Sequence, residues 1–349
     1  MNKHLLVALA LSASAIAYSA QQPRVSETQF STEPAGAGLS ATVTRFQHST
    51  EQLWIGYEVP SLPRHHSSSC SDSNGSSDDG CCGEYRLEDS EHGVNTSSQS
   101  TEPGKMYVLL RLDHSAVIRV RAVNAGCRLN AGGVPFTWLT GVQPEDSVHY
   151  LAQLATQGTE KQPADSALAA LAMHASPAAT SELASIASSS NSPKLREKAA
   201  FWLGAERGHD GFLALQKLIK SEQDPKLREK LAFDLSINKD PAATDELIAL
   251  AKSDTNVGVR SQAIFWLAQK AGKKASAAIT NAIENDPDQQ VKKKAVFALS
   301  QLPKEEGVPQ LIHVAETNQN PAVRKDAFFW LAQSGDPRAL AFLESVLKR

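Results

Sequence analysis

The sequence predicts a solenoid of helical repeats that follows a small β domain. The main observation is that apolar residues recur with a constant period in the C-terminal half of the chain, in columns that keep one register. The first column is Leu203, Leu235, Leu267, Leu299 and Leu331. The second is Phe201, Phe233, Phe265, Phe297 and Phe329. The third is Leu195, Leu227, Val259, Val291 and Val323.

A further apolar stripe keeps the same period in another part of each unit, at Leu183, Leu215, Leu247, Ile279, Leu311 and Leu343. Two apolar stripes in each unit predict two helices in each unit. Before these repeats, short runs of alternating polarity with many turn residues predict strands instead. The chain is long enough for both parts.

The N-terminus has the pattern of a secretory signal peptide. Lys3 precedes an apolar run from Leu5 to Ala17, in which small residues such as Ala15 and Ala17 suit signal peptidase. This run is too short to span a bilayer, and no second stretch approaches the required length. We therefore expect a signal peptide over residues 1–20, a disordered segment over 21–38, no membrane span, and a periplasmic or secreted protein.

A small β domain is predicted over residues 39–142. Val43 to Phe46 and Leu53 to Val59 are interpreted as one pair of strands, and Met106 to Leu112 with Ala116 to Val123 as a hairpin. One face of the hairpin is predicted to contain Val108, Leu110, Leu112, Ile118 and Val120. The other is predicted to contain Arg111, Arg119 and Arg121 and to face solvent.

All four cysteines, Cys70, Cys81, Cys82 and Cys127, precede the repeats, and an exported chain meets an oxidising compartment. A bond between the neighbours Cys81 and Cys82 would be strained. Two pairings stay open: Cys70–Cys81 with Cys82–Cys127, or Cys70–Cys82 with Cys81–Cys127. Either pairing ties the flexible loop 67–80, which is rich in Ser, Asp, Asn and Gly, to a distant strand.

The same region offers two weak metal-binding patterns. His65 and His66 together with the nearby cysteines have ligand types that suit zinc, but their spacing matches no closed zinc motif. A set of acidic and amide residues, Asp72, Asn74, Asp78 and Asp79, lacks the order and the final glutamate of an EF-hand. We expect no metal and no cofactor.

The second helix of each unit carries a resemblance to a known family. Pro193 to Gly204 is echoed at 225–236, 257–268, 289–300 and 321–332. Each copy begins with a turn, continues with an apolar residue followed by Arg or Lys and then by Ala, and ends with Leu followed by a small residue. This order resembles HEAT repeats, and most of all the short bacterial phycobilisome-lyase-like kind. The resemblance covers about residues 164 to 349. It implies a right-handed α-α solenoid of about six helix pairs over residues 146–349, in a bacterial exported protein.

Helix starts can also be located. A proline at the first helical position needs no N–H donor. Pro177, Pro241 and Pro337 take that position, and the preceding Ser176, Asp240 and Asp336 are the predicted caps.

A basic column is interpreted as structural. It consists of Arg196, Arg228, Arg260, Lys292 and Arg324. In HEAT-like repeats this position commonly bonds acidic or carbonyl groups of neighbouring turns, and Asp224 and Asp254 are close in sequence. We therefore expect a ladder that stabilises the stack.

The phenylalanine column is the candidate binding surface. At about 100° per residue, Phe201 lies about 240° from Leu195 and so points away from the core stripe. Two interpretations remain open: the rings pack between neighbouring second helices, or they form an apolar ladder that binds a protein or an extended peptide. In the next column Trp202, Trp266 and Trp330 alternate with Asp234 and Ala298. Asp234 marks a position where the surface differs.

No catalytic constellation is found in the sequence. His174, His209 and His313 occupy unrelated repeat positions, and the chain lacks the His-Glu pairs of HEAT-type iron hydroxylases. A net charge of −3 with an export signal disfavours nucleic-acid binding. We expect a non-enzymatic interaction or scaffold protein of the bacterial envelope. The alternative is an enzyme or enzyme accessory whose β domain binds a metal or presents a substrate.

Overall fold

The computed structural model describes residues 22–49, 52–63, 84–89, 104–157, 161–270 and 273–348. The predicted signal peptide, the loop 67–80 and both candidate metal clusters lie outside these residues. Cys70, Cys81 and Cys82 lie outside them as well, so the disulfide pairing stays a prediction. Cys127 is described and is buried.

The N-terminal domain contains two β-sheets and one helix in its described part. The strands are β1 (Arg24–Ser26), β2 (Phe30–Pro34), β3 (Leu53–Pro60), β4 (Glu84–Arg86), β5 (Lys105–Asp113), β6 (Ala116–Asn124), β7 (Arg128–Asn130) and β8 (Phe136–Thr140). The small sheet has the order β1-β7-β4 and is parallel. The large sheet has the order β2-β8-β3-β5-β6, in which the β3-β5 and β5-β6 pairs are antiparallel and the others parallel.

The large sheet is covered on both faces, so the prediction of one solvent-exposed face is wrong. Trp54, Tyr107 and Trp138 belong to a buried cluster that also includes Leu129 of the small sheet. On the other face Ile55, Tyr57 and Val59 join the core of the helical repeats. A strand buried on both faces carries few polar residues, and β3 fits that rule.

The arginines of the hairpin are therefore largely buried rather than exposed. Arg111 and Arg121 are 5% and 6% exposed. Arg111 donates from Nε to Glu88 Oε1 at 2.9 Å, and Arg119 donates from Nη1 to the carbonyl of Leu87 at 3.0 Å. Carbonyl and carboxylate acceptors thus replace the water that was expected to solvate these side chains.

The first part of the domain also differs from the prediction. Residues 39–47 form helix α1 (Leu39–Gln47) rather than a strand, because Leu39 and Val43, one helical turn apart, are both buried on one face. The segment 21–38, expected to be disordered, contains β1 and β2. Ile118 is exposed because a β-bulge after Arg111 shifts the register, so that Leu112 pairs with Val117.

The C-terminal part consists of stacked helices. They are α2 (Pro144–Gln157), α3 (Lys161–Met173), α4 (Pro177–Ser189), α5 (Pro193–Glu206), α6 (Gly208–Ser221), α7 (Pro225–Ile237), α8 (Pro241–Ser253), α9 (Val257–Lys270), α10 (Lys273–Asn285), α11 (Gln289–Ser300), α12 (Lys304–Thr317), α13 (Pro321–Gln333) and α14 (Pro337–Leu347). Helices α2 to α13 form six pairs, and α14 follows the last pair. The two-helix repeat predicted from the apolar period is confirmed.

The predicted caps are also confirmed. Ser176 Oγ accepts from the N–H of Ala178 at 3.2 Å, and the carboxylates of Asp240 and Asp336 each accept from a backbone N–H at 2.8 Å. Each cap satisfies a donor that the first turn of a helix leaves unpaired.

Small residues allow each first helix to lie directly against the preceding second helix. They occupy one position in every repeat, at Ala179, Gly211, Ala243, Ala275, Gly307 and Ala339. A Cβ atom on Gly211 would lie 2.0 Å from the carbonyl oxygen of Leu203. The second helices in turn pack more closely on one another than the first helices do, so their layer lies on the inner side of the curved stack.

A buried polar network joins the β domain to the repeats. Ser147 Oγ of α2 lies 3.1 Å from the hydroxyl of Tyr57 on β3 and 3.0 Å from Nε2 of His174, which is fully buried. The backbone pairs as well, since Leu62 donates to the carbonyl of Met173 and Ala175 donates to that of Pro60. Arg207 adds a bond to the carbonyl of Ser176 at 3.0 Å.

This junction should lose stability in mild acid. Burial, and secondarily the charge of Arg207, lowers the pKa of His174 from 6.5 to about 4. The unfolded chain therefore binds a proton first as the pH falls, so stability is complete above pH 6.5 and declines towards pH 4. This difference in pKa corresponds to about 3 kcal/mol.

Chemical denaturation at several pH values would measure this loss. His174→Gln should flatten the pH dependence of the free energy of unfolding between pH 6.5 and 4. His313→Gln, a change at an exposed histidine of α12, should leave it unaltered. An unchanged slope in His174→Gln would contradict the assignment.

Candidate interaction surface on the second helices

The phenylalanine column lies on the inner layer and is neither core nor free surface. Phe201, Phe233, Phe265 and Phe297 are half-buried, and Phe329 in the last second helix is 54% exposed. The two interpretations of the column are therefore both partly correct. The rings pack between neighbouring second helices and also present an apolar surface.

The rings form one continuous series with three tryptophans, which we call the aromatic ladder. In order of contact it is Trp202, Phe201, Phe233, Trp266, Phe265, Phe297, Trp330 and Phe329. The centroids of successive rings are 4.7 to 6.4 Å apart. Such spacings are typical of favourable aromatic pairs. The rings are thus held mainly by one another.

The ladder repeats every two units, because tryptophan occurs only in alternate second helices. Phe201 stacks on Phe233 at 6.3 Å, and Phe265 stacks on Phe297 at 6.4 Å. Between these pairs Trp266 bridges Phe233 to Phe265 at 4.7 and 4.9 Å. Where tryptophan is absent, the column holds Asp234 or Ala298, and both are buried.

Asp234 is the unusual member of this column. Its side chain is 2% exposed, and its Oδ2 has no hydrogen-bond partner in the described part of the chain. Burial raises the pKa of Asp234 well above its usual range, the charge of Glu197 raises it further, and the charge of Lys230 lowers it in part. The backbones of α5 and α7 approach closely at this position, since a Cβ atom on Gly204 would lie 2.5 Å from the carbonyl oxygen of Asp234.

The structure adds charged residues that the sequence reasoning did not select. Lys294 places its ammonium 4.8 Å from the centroid of Phe265 and 5.1 Å from that of Phe297. Glu197 and Glu229 lie one turn before Phe201 and Phe233 on the same helices. This spacing of one helical turn between each glutamate and its phenylalanine can be read from the sequence.

The basic column occupies the other side of the second helices and bonds the inter-helix turns. Arg228 donates to both oxygens of Asp254 at 2.9 and 3.2 Å, and Arg260 to both oxygens of Asp286 at 2.7 and 3.1 Å. Arg196 pairs with Glu222 through one carboxylate oxygen, and its Nε donates to the carbonyl of Ala187. Asp224, suggested as a partner, instead caps α7.

The acids of this ladder form their own column with the period of the repeats, at Glu222, Asp254 and Asp286, followed by the neutral Asn318. Each of these four side chains also accepts a hydrogen bond from the backbone N–H two residues later in its own turn, at 2.8 to 2.9 Å. Lys292 and Arg324 bond carbonyls of their own turns, at Glu284 and Asn318. The ion pairs therefore end where the acid is replaced by Asn318.

The described residues contain no group of three or more His, Cys, Asp or Glu side chains that could hold a metal ion. The three histidines considered above lie apart in the fold, in the junction, in α6 and in α12. Nor is any helix of the described ranges long and apolar enough to cross a lipid bilayer.

Comparison with known proteins gives a family match in the repeats. The family model for HEAT repeats matches residues 180–268 and 276–349. No curated protein matches the sequence significantly.

Several solved structures are similar to part of the chain. Human deoxyhypusine hydroxylase is 19% identical, with 58% of this chain and 90% of that chain covered and a TM-score of 0.28. The complex of CpcE and CpcF of phycocyanin lyase from Nostoc sp. PCC7120 is 22% identical, with coverages of 44% and 99% and a TM-score of 0.35. Cex1p is 12% identical, with coverages of 59% and 45% and a TM-score of 0.38.

The ion pairs of the basic column should stabilise the stack unequally. Arg260→Met leaves Asp286 buried without its charged partner and is expected to cost about 3–5 kcal/mol in the free energy of unfolding. Arg324→Met removes one bond to a carbonyl and should cost about 1 kcal/mol. Denaturant titration checks both values. The double change Arg260→Met with Asp286→Leu should recover much of the loss, and equal effects of the two single changes would contradict this assignment.

Asp234 should reduce stability at neutral pH. Its folded-state pKa is raised, so stability is complete in acid and declines as the pH rises. Asp234→Ala, which copies the residue found at Ala298, is expected to stabilise the protein by about 1–3 kcal/mol at neutral pH. Thermal melts should show the gain shrinking in acid. Asp326→Ala, at a half-buried acid of α13, is the control and should show no such pattern.

Proposed function

Because residues 180–268 and 276–349 of this chain are HEAT repeats, we propose that it is a non-enzymatic interaction or scaffold protein. In this proposal the inner face of the solenoid binds a protein or an extended peptide. The aromatic ladder is the observation that carries it. The N-terminal pattern around Lys3 assigns the protein, as part of the same proposal, to the periplasm or the outside of a bacterial cell.

The ladder supports this function because its rings are not needed to fill the core. Each second helix already buries a separate apolar stripe, such as Ala199 and Leu203 in α5. The phenylalanines lie beyond that stripe, half-exposed in a continuous row. A contiguous row of exposed apolar surface usually marks an interaction site.

Stacking also prepares the row for binding. The Phe265 and Phe297 rings are almost parallel, with an interplanar angle of 1°, and Phe201 and Phe233 differ by 11°. Rings fixed by their neighbours lose little conformational entropy when a partner covers them. Phe329 ends the row with its ring exposed and in edge contact with Trp330. This end is the most accessible point of contact.

A photo-crosslinking experiment tests the proposal. The variant Phe329→p-benzoylphenylalanine should form a discrete adduct with a protein in the source cells. The matched variant Leu213→p-benzoylphenylalanine carries the same group at an exposed leucine of α6, a first helix, and should form none. Phe329→Ser should weaken retention of the crosslinked partner at least about tenfold.

The stability of the variants distinguishes a binding surface from core. Phe265→Ser together with Phe297→Ser should leave a folded protein by circular dichroism. If that double variant unfolds and the adduct forms equally at positions 213 and 329, the aromatic ladder is structural and this function is wrong.

A further inference from the structure

The aromatic ladder contains two copies of the same ring pair, and the two copies differ in charge. Phe201 with Phe233 and Phe265 with Phe297 occupy the same positions in the sequence, displaced by two repeats. Their centroid separations are 6.3 and 6.4 Å, and both pairs are stacked. The same geometry in two places allows the surroundings of each pair to be compared directly.

The second ring pair is occupied by a cation of the chain itself. The ammonium of Lys294 lies 4.8 and 5.1 Å from the centroids of Phe265 and Phe297. A cation within about 6 Å of an aromatic face is attracted by the negative potential of the ring. The pair of rings is therefore a suitable binding position for an amine.

The first ring pair differs in this respect. Lys230 is the residue equivalent to Lys294 and is exposed. Over the described ranges, no lysine or arginine is placed above Phe201 or Phe233. Lys198 on α5 bonds Asp165 at 2.5 Å, and Lys226 on α7 lies 3.6 Å from Glu229. Lys230 is therefore the lysine of this chain that competes with an external cation for the first ring pair.

Acidic residues occupy helix positions near the first pair where the second pair has other residues. Glu197 corresponds to Ser261, Glu229 corresponds to Lys293, and Asp234 corresponds to Ala298. Glu229 lies against Gly258 of α9, where a Cβ atom would be 2.2 Å from its Oε1. The first pair is therefore acidic, whereas the second is basic.

Asp234 adds a buried acid directly after Phe233 in the chain. It occupies the tryptophan column between Trp202 and Trp266, and these rings contact Phe201 and Phe233 at 5.2 and 4.7 Å. Its carboxyl group is buried, its Oδ2 has no hydrogen-bond partner in the described chain, and the charges of Glu197 and Lys230 both act on it. A partner's side chain does not reach a carboxyl group buried to this extent.

We propose that Phe201 and Phe233, together with Glu197 and Glu229, form a subsite for a lysine or arginine side chain of an extended peptide segment. The subsite rests on the proposed function, since it specifies what the inner face binds. Rings supply the cation–π contact and carboxylates supply the opposite charge. The second ring pair, with Lys294 above it and Lys293 one turn before Phe297 on the same helix, does not bind a second cation.

A random peptide library displayed on phage and selected on the full-length protein tests the subsite. Selected peptides should share a lysine or arginine at a fixed position. In a fluorescein-labelled synthetic copy, replacing that residue by acetyl-lysine or glutamine should weaken binding about tenfold. The same replacement should have little effect on the double variant Glu197→Gln with Glu229→Gln.

Matched controls use the second ring pair. The double variant Ser261→Ala with Lys293→Gln changes the equivalent positions and should keep the full effect of the peptide's cation. Lys230→Gln removes the internal competitor and should strengthen binding.

The possible outcomes separate the subsite from the function. Selected peptides without a fixed cation, or a cation effect that persists after removal of Glu197 and Glu229, would overturn the subsite while inner-face binding stands. A library that yields no peptide at all would also overturn it. The photo-crosslink at position 329 decides the proposed function independently in each case.

Discussion

The close contact between each first helix and the second helix before it is the constraint on which the stack depends. At Gly211 and Gly307 the backbone of a first helix lies against the carbonyl of Leu203 or Leu299, closer than any Cβ atom would allow. Alanine suffices at the other positions of this column. One contact of fixed geometry in every repeat sets the step between repeats. Every other periodic feature of the solenoid depends on that step.

Two ladders follow from this step, and they have different tasks. On the turns, Arg228 and Arg260 reach the acid of the next repeat with both carboxylate oxygens engaged. That geometry requires each successive turn to lie at the same distance. On the inner layer, the same step brings phenylalanines within stacking distance. The first ladder satisfies buried charges inside the stack, whereas the second leaves half of each ring available to a partner.

The sequence predicted the repeats well and the front domain poorly, for a physical reason. Contacts between repeats join residues that are close in sequence. The spacing of Leu203, Phe201 and Arg196 therefore indicates the helix itself, the face on which each residue lies and the neighbour that it contacts. Strand pairing in the front domain is long-range: β2 near the N-terminus pairs with β8, and β1 pairs with β7. No local pattern encodes those pairings. The arginines of the hairpin were assigned to solvent because the small sheet that covers them was not detectable.

The direction of the phenylalanine column was predictable, but its exposure was not. A helical wheel places Phe201 off the core stripe, whereas the distance to the next second helix decides whether a ring is covered. Gly204 shortens that distance at one place, and there the chain buries Asp234 rather than a tryptophan. A buried carboxylate without a hydrogen-bond partner opposes folding at neutral pH. The other second helices of this column contain alanine or tryptophan at the same position, so folding alone does not require the acid. The charge of Lys230 lowers the pKa of Asp234 and so offsets part of this cost within the chain, which leaves Glu197 and Glu229 as the acids that distinguish this ring pair from its counterpart.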